Sequence, residues 1–157
     1  MEYIDGIMVL FIKENIMKDD KGQFTTTFET KSKSRFIAYI KNQKGEVVIP
    51  TYVIKHIDRP SFFLKNKKWS PGTIGVTCYD PIIKPSIPQI LQTAMENLEK
   101  WNITVNLLDA VGEKIEEWEI KGALINEIMY DSMNYNIQNE PLEIDVIFNI
   151  DTAKLIF

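Results

Sequence analysis

Residues 86–101, SIPQILQTAMENLEKW, decide the fold, because they are the one stretch that reads as a helix in a chain that otherwise reads as strands. Ser86 is a good N-cap residue, and Gln89 follows three positions later in the S-x-x-Q spacing of a capping box. Pro88 falls in the first turn, where a missing N–H loses no intrahelical bond. Ile90, Leu91, Ala94, Met95, Leu98 and Trp101 recur at helical spacing and predict one apolar stripe. Gln92, Thr93, Glu96, Asn97 and Lys100 take the opposite side. The spacing therefore predicts a helix over 86–101. A single helix with one apolar face needs a sheet to cover.

The flanking segments supply that sheet. On the C-terminal side, residues 103–108 place Ile103, Val105 and Leu107 on one face, and residues 109–112 form a turn. Residues 113–121 return with Ile115, Trp118 and Ile120, an odd step that predicts a β-bulge near Glu116 and Glu117. Gly122 permits a bend, residues 123–130 are mostly apolar, and residues 131–141 are a polar link. Residues 142–150 alternate most cleanly, with Leu142, Ile144, Val146, Phe148 and Ile150 on one side. On the N-terminal side, residues 34–42 and 46–49 predict a hairpin around Gln43–Gly45, and Pro50 precedes a β-rich run over 52–57. Asp58-Arg59-Pro60 signals a turn, 61–64 a short apolar strand, and 65–72 (KNKKWSPG) a basic loop. Residues 73–79 put Ile74, Val76 and Cys78 on one face. Residues 1–33 have weaker patterning, with a short apolar run at 7–12, a turn at 18–22 and strand composition at 23–30; they predict an arm or irregular segment. The expected class is mainly β, an antiparallel sandwich or barrel with one flanking helix, with residues 34–157 as the β domain.

A chain of 157 residues is long enough to bury a sizeable core in one domain. No run of eighteen apolar residues occurs, so no membrane-spanning segment is expected, and residues 6–12 (GIMVLFI) lack the basic lead of a signal peptide. The single cysteine excludes an internal disulfide and fits a reducing compartment. The net charge of −4 is unevenly placed. Residues 1–100 carry fifteen Lys/Arg against eleven Asp/Glu, and residues 101–157 carry three against eleven. The acidic part repels nucleic acid wherever its carboxylates face it, and the basic surplus is too dispersed to read as a DNA-binding patch.

Residues that could carry chemistry have structural readings that fit better. His56 is the only histidine and sits in a strand run. Cys78 lies on the apolar side of its strand, with no basic neighbour in sequence to activate it. Glu116, Glu117 and Glu119 cluster, as do Glu143 and Asp145; paired carboxylates can hold a divalent ion or do acid–base work. Alternation of Glu143 and Asp145 with apolar partners fits the solvated face of a half-buried strand instead. Gly72-Thr73-Ile74-Gly75 lacks the spacing of a phosphate loop. Lys65, Lys67, Lys68 and Trp69 make a basic–aromatic loop that could touch phosphates or bases, or dock on an acidic protein surface, the reading preferred here. Trp69, Trp101 and Trp118 read as core or interface anchors. No catalytic residue, cofactor or metal site is expected.

The order of parts resembles the tail tube proteins of contractile-tailed bacteriophages and the related tube proteins of injection and secretion systems. The resemblance spans about residues 34–151. It rests on the strand pair over 35–49, the turn Asp58-Arg59-Pro60, and Lys68-Trp69-Ser70-Pro71 ahead of a strand ending in Tyr79-Asp80-Pro81. It continues through the helix, Leu107-Leu108-Asp109 and Gly112, and Trp118-Glu119-Ile120-Lys121-Gly122 in the pattern W-x-[IL]-K-G. It ends in a last hairpin over 130–151 with Glu140-Pro141. The first thirty or so residues and the basic loop 65–72 depart from the pattern, as a specialised member such as a tube initiator at a baseplate would.

The resemblance implies two packed antiparallel sheets with a helix alongside, and hexameric rings stacked into a hollow tube within a sheath. It implies a virion protein of the phage tail, assembled in the host bacterial cytoplasm, whose partners are itself, the sheath and the baseplate. DNA passes through the lumen without specific binding. The alternatives are a tube initiator, a tube protein of an injection or secretion system, or, in a different class, a small β-sandwich hydrolase or binding module. On the tube reading, Glu116, Glu117, Glu119, Glu143 and Asp145 are expected to line the channel, where negative charge lets phosphates slide past. Trp69, Glu96 and Glu99 are the expected inter-subunit contacts. The helix's polar face is expected on the outside of the channel.

Overall fold

The computed structural model describes residues 29–157 and, before them, the strands Ile16–Lys18 (β1) and Phe24–Thr26 (β2), which pair antiparallel. The expected strand at 7–12 and the turn at 18–22 lie outside the described residues or at their margin. The chain divides into two compact units, Met1–Ser32 and Lys33–Phe157.

The second unit contains β3 (Phe36–Lys41), β4 (Val47–Ile49), a 3₁₀ turn (Thr51–Val53), β5 (Ile54–Ile57), β6 (Phe62–Lys65), β7 (Lys68–Pro71) and β8 (Ile74–Tyr79). Helix α1 (Ile87–Glu96) follows, then β9 (Lys100–Leu108), β10 (Lys114–Tyr130), β11 (Glu143–Asn149) and β12 (Thr152–Leu155). One antiparallel sheet runs β4-β3-β9-β10-β11-β8-β5, with β12 added on β10. Strands β6 and β7 form a separate hairpin. Side chains on one face of every strand of the large sheet, together with Ile87, Leu91 and Ala94 of the helix, enter a single buried cluster. The two terminal strands, β4 and β5, are joined directly through the 3₁₀ turn, whose Val53 is itself in that cluster. The mainly β class with one flanking helix is thus the observed architecture.

The helix begins where the sequence says. The Ser86 hydroxyl accepts from the Gln89 N–H (3.3 Å), and the Gln89 side chain accepts from the Ser86 N–H (2.8 Å). It ends sooner than expected, at Glu96 rather than Trp101. Leu98 takes a left-handed backbone with φ 50°. The Glu99 N–H reaches back to the Ala94 carbonyl (2.9 Å) and the Leu98 N–H to the Met95 carbonyl (3.2 Å). This is a Schellman termination with leucine where glycine is usual, so composition gave no stop signal. Trp101 consequently belongs to β9, where it is buried against Phe148 with ring centroids 6.1 Å apart.

Strand β10 is the long member of the sheet, at seventeen residues. One of its edges pairs β9 along residues 114–124. Its other edge pairs β12 over 118–121 and then β11 over 124–130, so β11 and β12 lie end to end. The changeover coincides with Gly122, at φ 68°, and a register shift between Ile120 and Ala123. Facing it, the Asp151 N–H donates to the Lys121 carbonyl (3.0 Å) between β11 and β12. A Cβ built on Gly122 would lie 2.1 Å from Asp151 Oδ2 and 2.8 Å from its Cβ, so the bend has room only for glycine.

Candidate functional site

The expected bulge exists but lies earlier, between Lys114 and Glu116. It turns Ile115 out to the surface and Glu116 in. Glu116 is 5% exposed, so it does not lie on the open surface that its expected place in a channel wall requires. Its carboxylate accepts from Arg59 (Nη1 to Oε1, 3.1 Å) and from the Trp118 indole N–H. Phe62 stacks against Trp118 with centroids 6.1 Å apart. A buried carboxylate with these partners holds the turn before β6 and the base of the β6–β7 hairpin against the start of β10. Sequence alone gave no sign of the pair, because Arg59 and Glu116 are 57 positions apart.

The hairpin itself replaces the loop expected over 65–72. Leu64 pairs Trp69 and Lys65 pairs Lys68, and the two turn residues, Asn66 and Lys67, both have positive φ (51° and 63°). That is the handedness two-residue hairpins require, supplied here by Asn-Lys instead of the usual Asn-Gly. The Gly72 N–H donates to the Ser61 carbonyl (2.8 Å) and closes the base. Trp69, one expected contact residue, is 70% exposed on this hairpin beside exposed Leu64, with Phe63 exposed on the other face.

The remaining four acidic candidates share one face. On β10, Trp118, Ile120 and Ala123 point to the core side, so Glu117 and Glu119 point away. The register sets Glu117 opposite Asn106 and Glu119 opposite Thr104 on β9, and those opposite Ile37 and Tyr39 on β3. Further along, Met129 faces Asp145 of β11, and Asp145 faces Thr77 of β8. The two acidic groups, distant in sequence, therefore lie on the same outward surface of one sheet. Its charges are matched more than the sequence suggests. Lys114 pairs Glu117 (3.0 Å), Lys121 pairs Glu119 (3.3 Å), Lys55 pairs Glu143, and the Thr77 hydroxyl donates to Asp145 (2.6 Å). The bond to Glu143 is the first cause holding the Lys55 ammonium above its ordinary range, against a smaller opposing effect of burial.

Other candidates fall elsewhere. Glu96 and Glu99 are exposed around the end of α1. His56 Nε2 lies 2.9 Å from Asp58 Oδ1, while Asp58 Oδ2 accepts from the Gly75 N–H (2.9 Å), so this pair ties β5 to β8. Cys78 is buried; burial first, and the charge of Asp145 second, push its thiol up to about 12. Among the described residues, no three or more His, Cys, Asp or Glu are grouped to hold a metal ion, and no helix is long and apolar enough to cross a membrane. Residues 131–142, the link from β10 to β11, read in the sequence only as a polar connection. The link carries Met133, Tyr135 and Ile137 at the surface, with Tyr135 fully exposed, and Met133 and Ile137 line a groove together with Asp131, Glu140 and Leu142.

No protein-family model matches the sequence, and no curated protein does. Solved structures do match. A chain of the anti-feeding prophage (AFP) baseplate, determined with 6-fold symmetry, superposes with a TM-score of 0.60 over 83% of this chain and 97% of its own, at 11% identity. A chain of the sheath–tube complex of the extracellular contractile injection system PVC gives 0.56 over 80% and 90%, at 15% identity. An Hcp protein gives 0.54 over 76% and 95%, at 12% identity. At these identities the likeness is one of fold, and the fold is that of the tail-tube and Hcp-like proteins of contractile injection and secretion systems.

Proposed function

We propose that this chain is a structural tube protein of a contractile machine, that it forms six-membered rings, and that the rings stack into a hollow tube inside a sheath. The observation that carries the reading is the shared fold, which extends over nearly the full length of an AFP baseplate chain and a PVC sheath–tube chain. Two further features support it. Large hydrophobic side chains are exposed on the β6–β7 hairpin and on loop 131–142, where a soluble monomer gains nothing from them. The polar groups spread over the outward face of the sheet instead of converging in a cavity, so the proposed role is assembly and not catalysis.

In this reading the outward sheet face with Glu117, Glu119, Glu143 and Asp145 lines the channel. Its paired lysines make the wall close to charge-balanced, with neutral Asn102, Thr104 and Asn106 alongside. Such a wall offers a passing polyanion few unpaired cations to hold it. As the inner tail tube of a phage, the protein sits in the virion tail, is assembled in the bacterial cytoplasm, contacts sheath and baseplate, and lets DNA pass without binding it. The second reading, a tube or tube-initiator protein of an injection or secretion system, is favoured by the similar structures, which come from such systems.

Negative-stain microscopy with mass measurement tests the proposal. Six-fold rings or tubes are expected. A monomer that stays monomeric at high concentration and binds a small molecule in a deep pocket would favour a β-sandwich enzyme or binding module instead. Capsid and DNA-packaging genes beside the coding gene would select the phage tail over the injection system.

A further inference from the structure

Two surface segments of this domain are complementary to each other and cannot meet within one chain. The first is the β6–β7 hairpin, which presents Leu64 and Trp69 on one face, Phe63, Lys65 and Lys68 on the other, and Lys67 at its tip. No carboxylate occurs between Asp58 and Asp80, and among the described residues none of the three lysines has an ion-pair partner. The second is loop 131–142, with Met133, Tyr135 and Ile137 beside Asp131 and Glu140. No Lys or Arg occurs between Lys121 and Lys154. One surface is apolar and basic, the other apolar and acidic.

Their positions decide what they can reach. The hairpin is anchored at the start of β10, by Phe62 on Trp118 and Arg59 on Glu116. The loop departs from the other end, after Tyr130. From Trp118 to Tyr130 is about 40 Å of strand, and the hairpin's four-residue arms are about 13 Å long. Among the described residues, no hydrogen bond, ion pair or ring contact joins the two. We propose that the β6–β7 hairpin of one copy docks on loop 131–142 of the next, a head-to-tail contact that gives the assembly its direction. The occupant is a second copy because each surface lacks, within its own chain, an apolar partner of the opposite charge, and another copy brings one. Trp69, with Leu64 paired to it on the same face of the hairpin, supplies the aromatic anchor for the groove around Met133, Ile137 and Leu142, and Lys67 at the adjoining turn faces Asp131 and Glu140. A contact between two different patches does not close on itself as a twofold dimer does; unless its rotation closes it into a ring, it propagates. This inference rests on the tube reading and adds which surfaces join successive copies.

Cysteine cross-linking on the full chain tests it. Lys67→Cys and Gln138→Cys place thiols on the exposed hairpin tip and loop, and a short bis-maleimide reports their proximity. The double variant is expected to give a ladder on a denaturing gel. An equimolar mixture of the two single variants should give one cross-linked dimer, and each single variant alone none. Trp69→Ala should raise the concentration needed for assembly at least about tenfold. If tubes or stacked rings form but neither the ladder nor the mixed dimer appears, the proposed contact is wrong and the tube reading stands. If Lys67→Cys cross-links to itself, the hairpins meet in pairs and the head-to-tail contact is overturned. A monomer under all conditions, by microscopy and by cross-linking, overturns both.

Discussion

Replacing Gly122 by alanine should destabilise the domain by about 2–4 kcal/mol, for reasons that can be separated. The residue has φ 68°, and a left-handed backbone costs an L-residue with a Cβ roughly 1–2 kcal/mol. The new Cβ would also stand 2.1, 2.5 and 2.8 Å from Oδ2, Cγ and Cβ of Asp151. The two outer atoms can rotate away, because Asp151 is half-exposed and its ion pair with Lys100 (2.9 Å) is a surface one worth at most about 1 kcal/mol. The Asp151 Cβ cannot, because its backbone N–H is bonded to the Lys121 carbonyl. The strands must therefore part at the bend, at a cost of about 1–2 kcal/mol more. Urea unfolding followed by circular dichroism measures the sum. The double variant G122A with Asp151→Gly removes the clash and keeps the backbone strain, so it should recover about half of the loss relative to Asp151→Gly alone. A G122A protein within about 0.5 kcal/mol of the parent would refute the reasoning, as would a double variant showing no recovery.

Four further outcomes are expected. Glu116→Ala leaves the Trp118 N–H and Arg59 without their shared acceptor and should cost about 1–3 kcal/mol by urea unfolding, less than for a wholly buried pair because Arg59 is half-exposed; an unchanged midpoint would remove the hairpin's anchor. Leu98→Gly should stabilise by about 1 kcal/mol, since the side chain is largely exposed and the backbone is left-handed; a destabilised variant would show that Leu98 contributes contacts the exposure does not suggest. Phe148→Ala opens the space beside Trp101 and should cost about 3–5 kcal/mol, read by thermal unfolding. The Cys78 thiol, raised to about 12, should resist iodoacetamide at pH 8 in the folded protein and react readily in urea. The sign for stability follows: below about pH 9 both states keep the proton and nothing is lost, while between about 9 and 12 only the unfolded thiol ionises, so stability falls across that window and Cys78→Ala should flatten the fall.

Local patterns read well from sequence where one residue type dictates one geometry. The Ser86–Gln89 box, the alternation of Ile74, Val76 and Cys78, and the turn closed by Gly112 all appear as written. Reading failed where the chain uses an unexpected residue for a left-handed position. Leu98 ends the helix and Asn66-Lys67 turns the hairpin, and in neither place is there a glycine. Without those two stops, Trp101 joins the helix and residues 65–72 become a loop. Reading failed again at Glu116, where shifting a bulge by one or two residues exchanges inside for outside along the strand. The shared face of Glu117, Glu119, Glu143 and Asp145 depends on sheet order, which no periodicity contains. Their lysine partners are three or fewer positions away in two cases and 88 in the third.

These corrections move the organising role from the helix to β10. Helix α1 adds Ile87, Leu91 and Ala94 to the core, a covering task that several surfaces could do. Among the described strands, β10 does what no other does. It pairs three neighbours, carries the hairpin's anchors Glu116 and Trp118 near its start, bends at Gly122, and leads into loop 131–142 at its end. The angle at Gly122 therefore fixes the angle between the two complementary surfaces. If successive copies join hairpin to loop, that angle also fixes how each copy is rotated and displaced from the last. A change at the bend would then act in two places at once, on the unfolding free energy of the domain and on the geometry of the assembly. Asp151→Gly separates them. It leaves Gly122's backbone in place and removes only the side chain packed against it, together with the Lys100 pair. Its unfolding midpoint should stay close to the parent's, while any altered pitch in its tubes would trace the assembly geometry to this corner of one strand. Parent-like pitch in that variant, with G122A tubes distorted, would place the control in the glycine backbone alone.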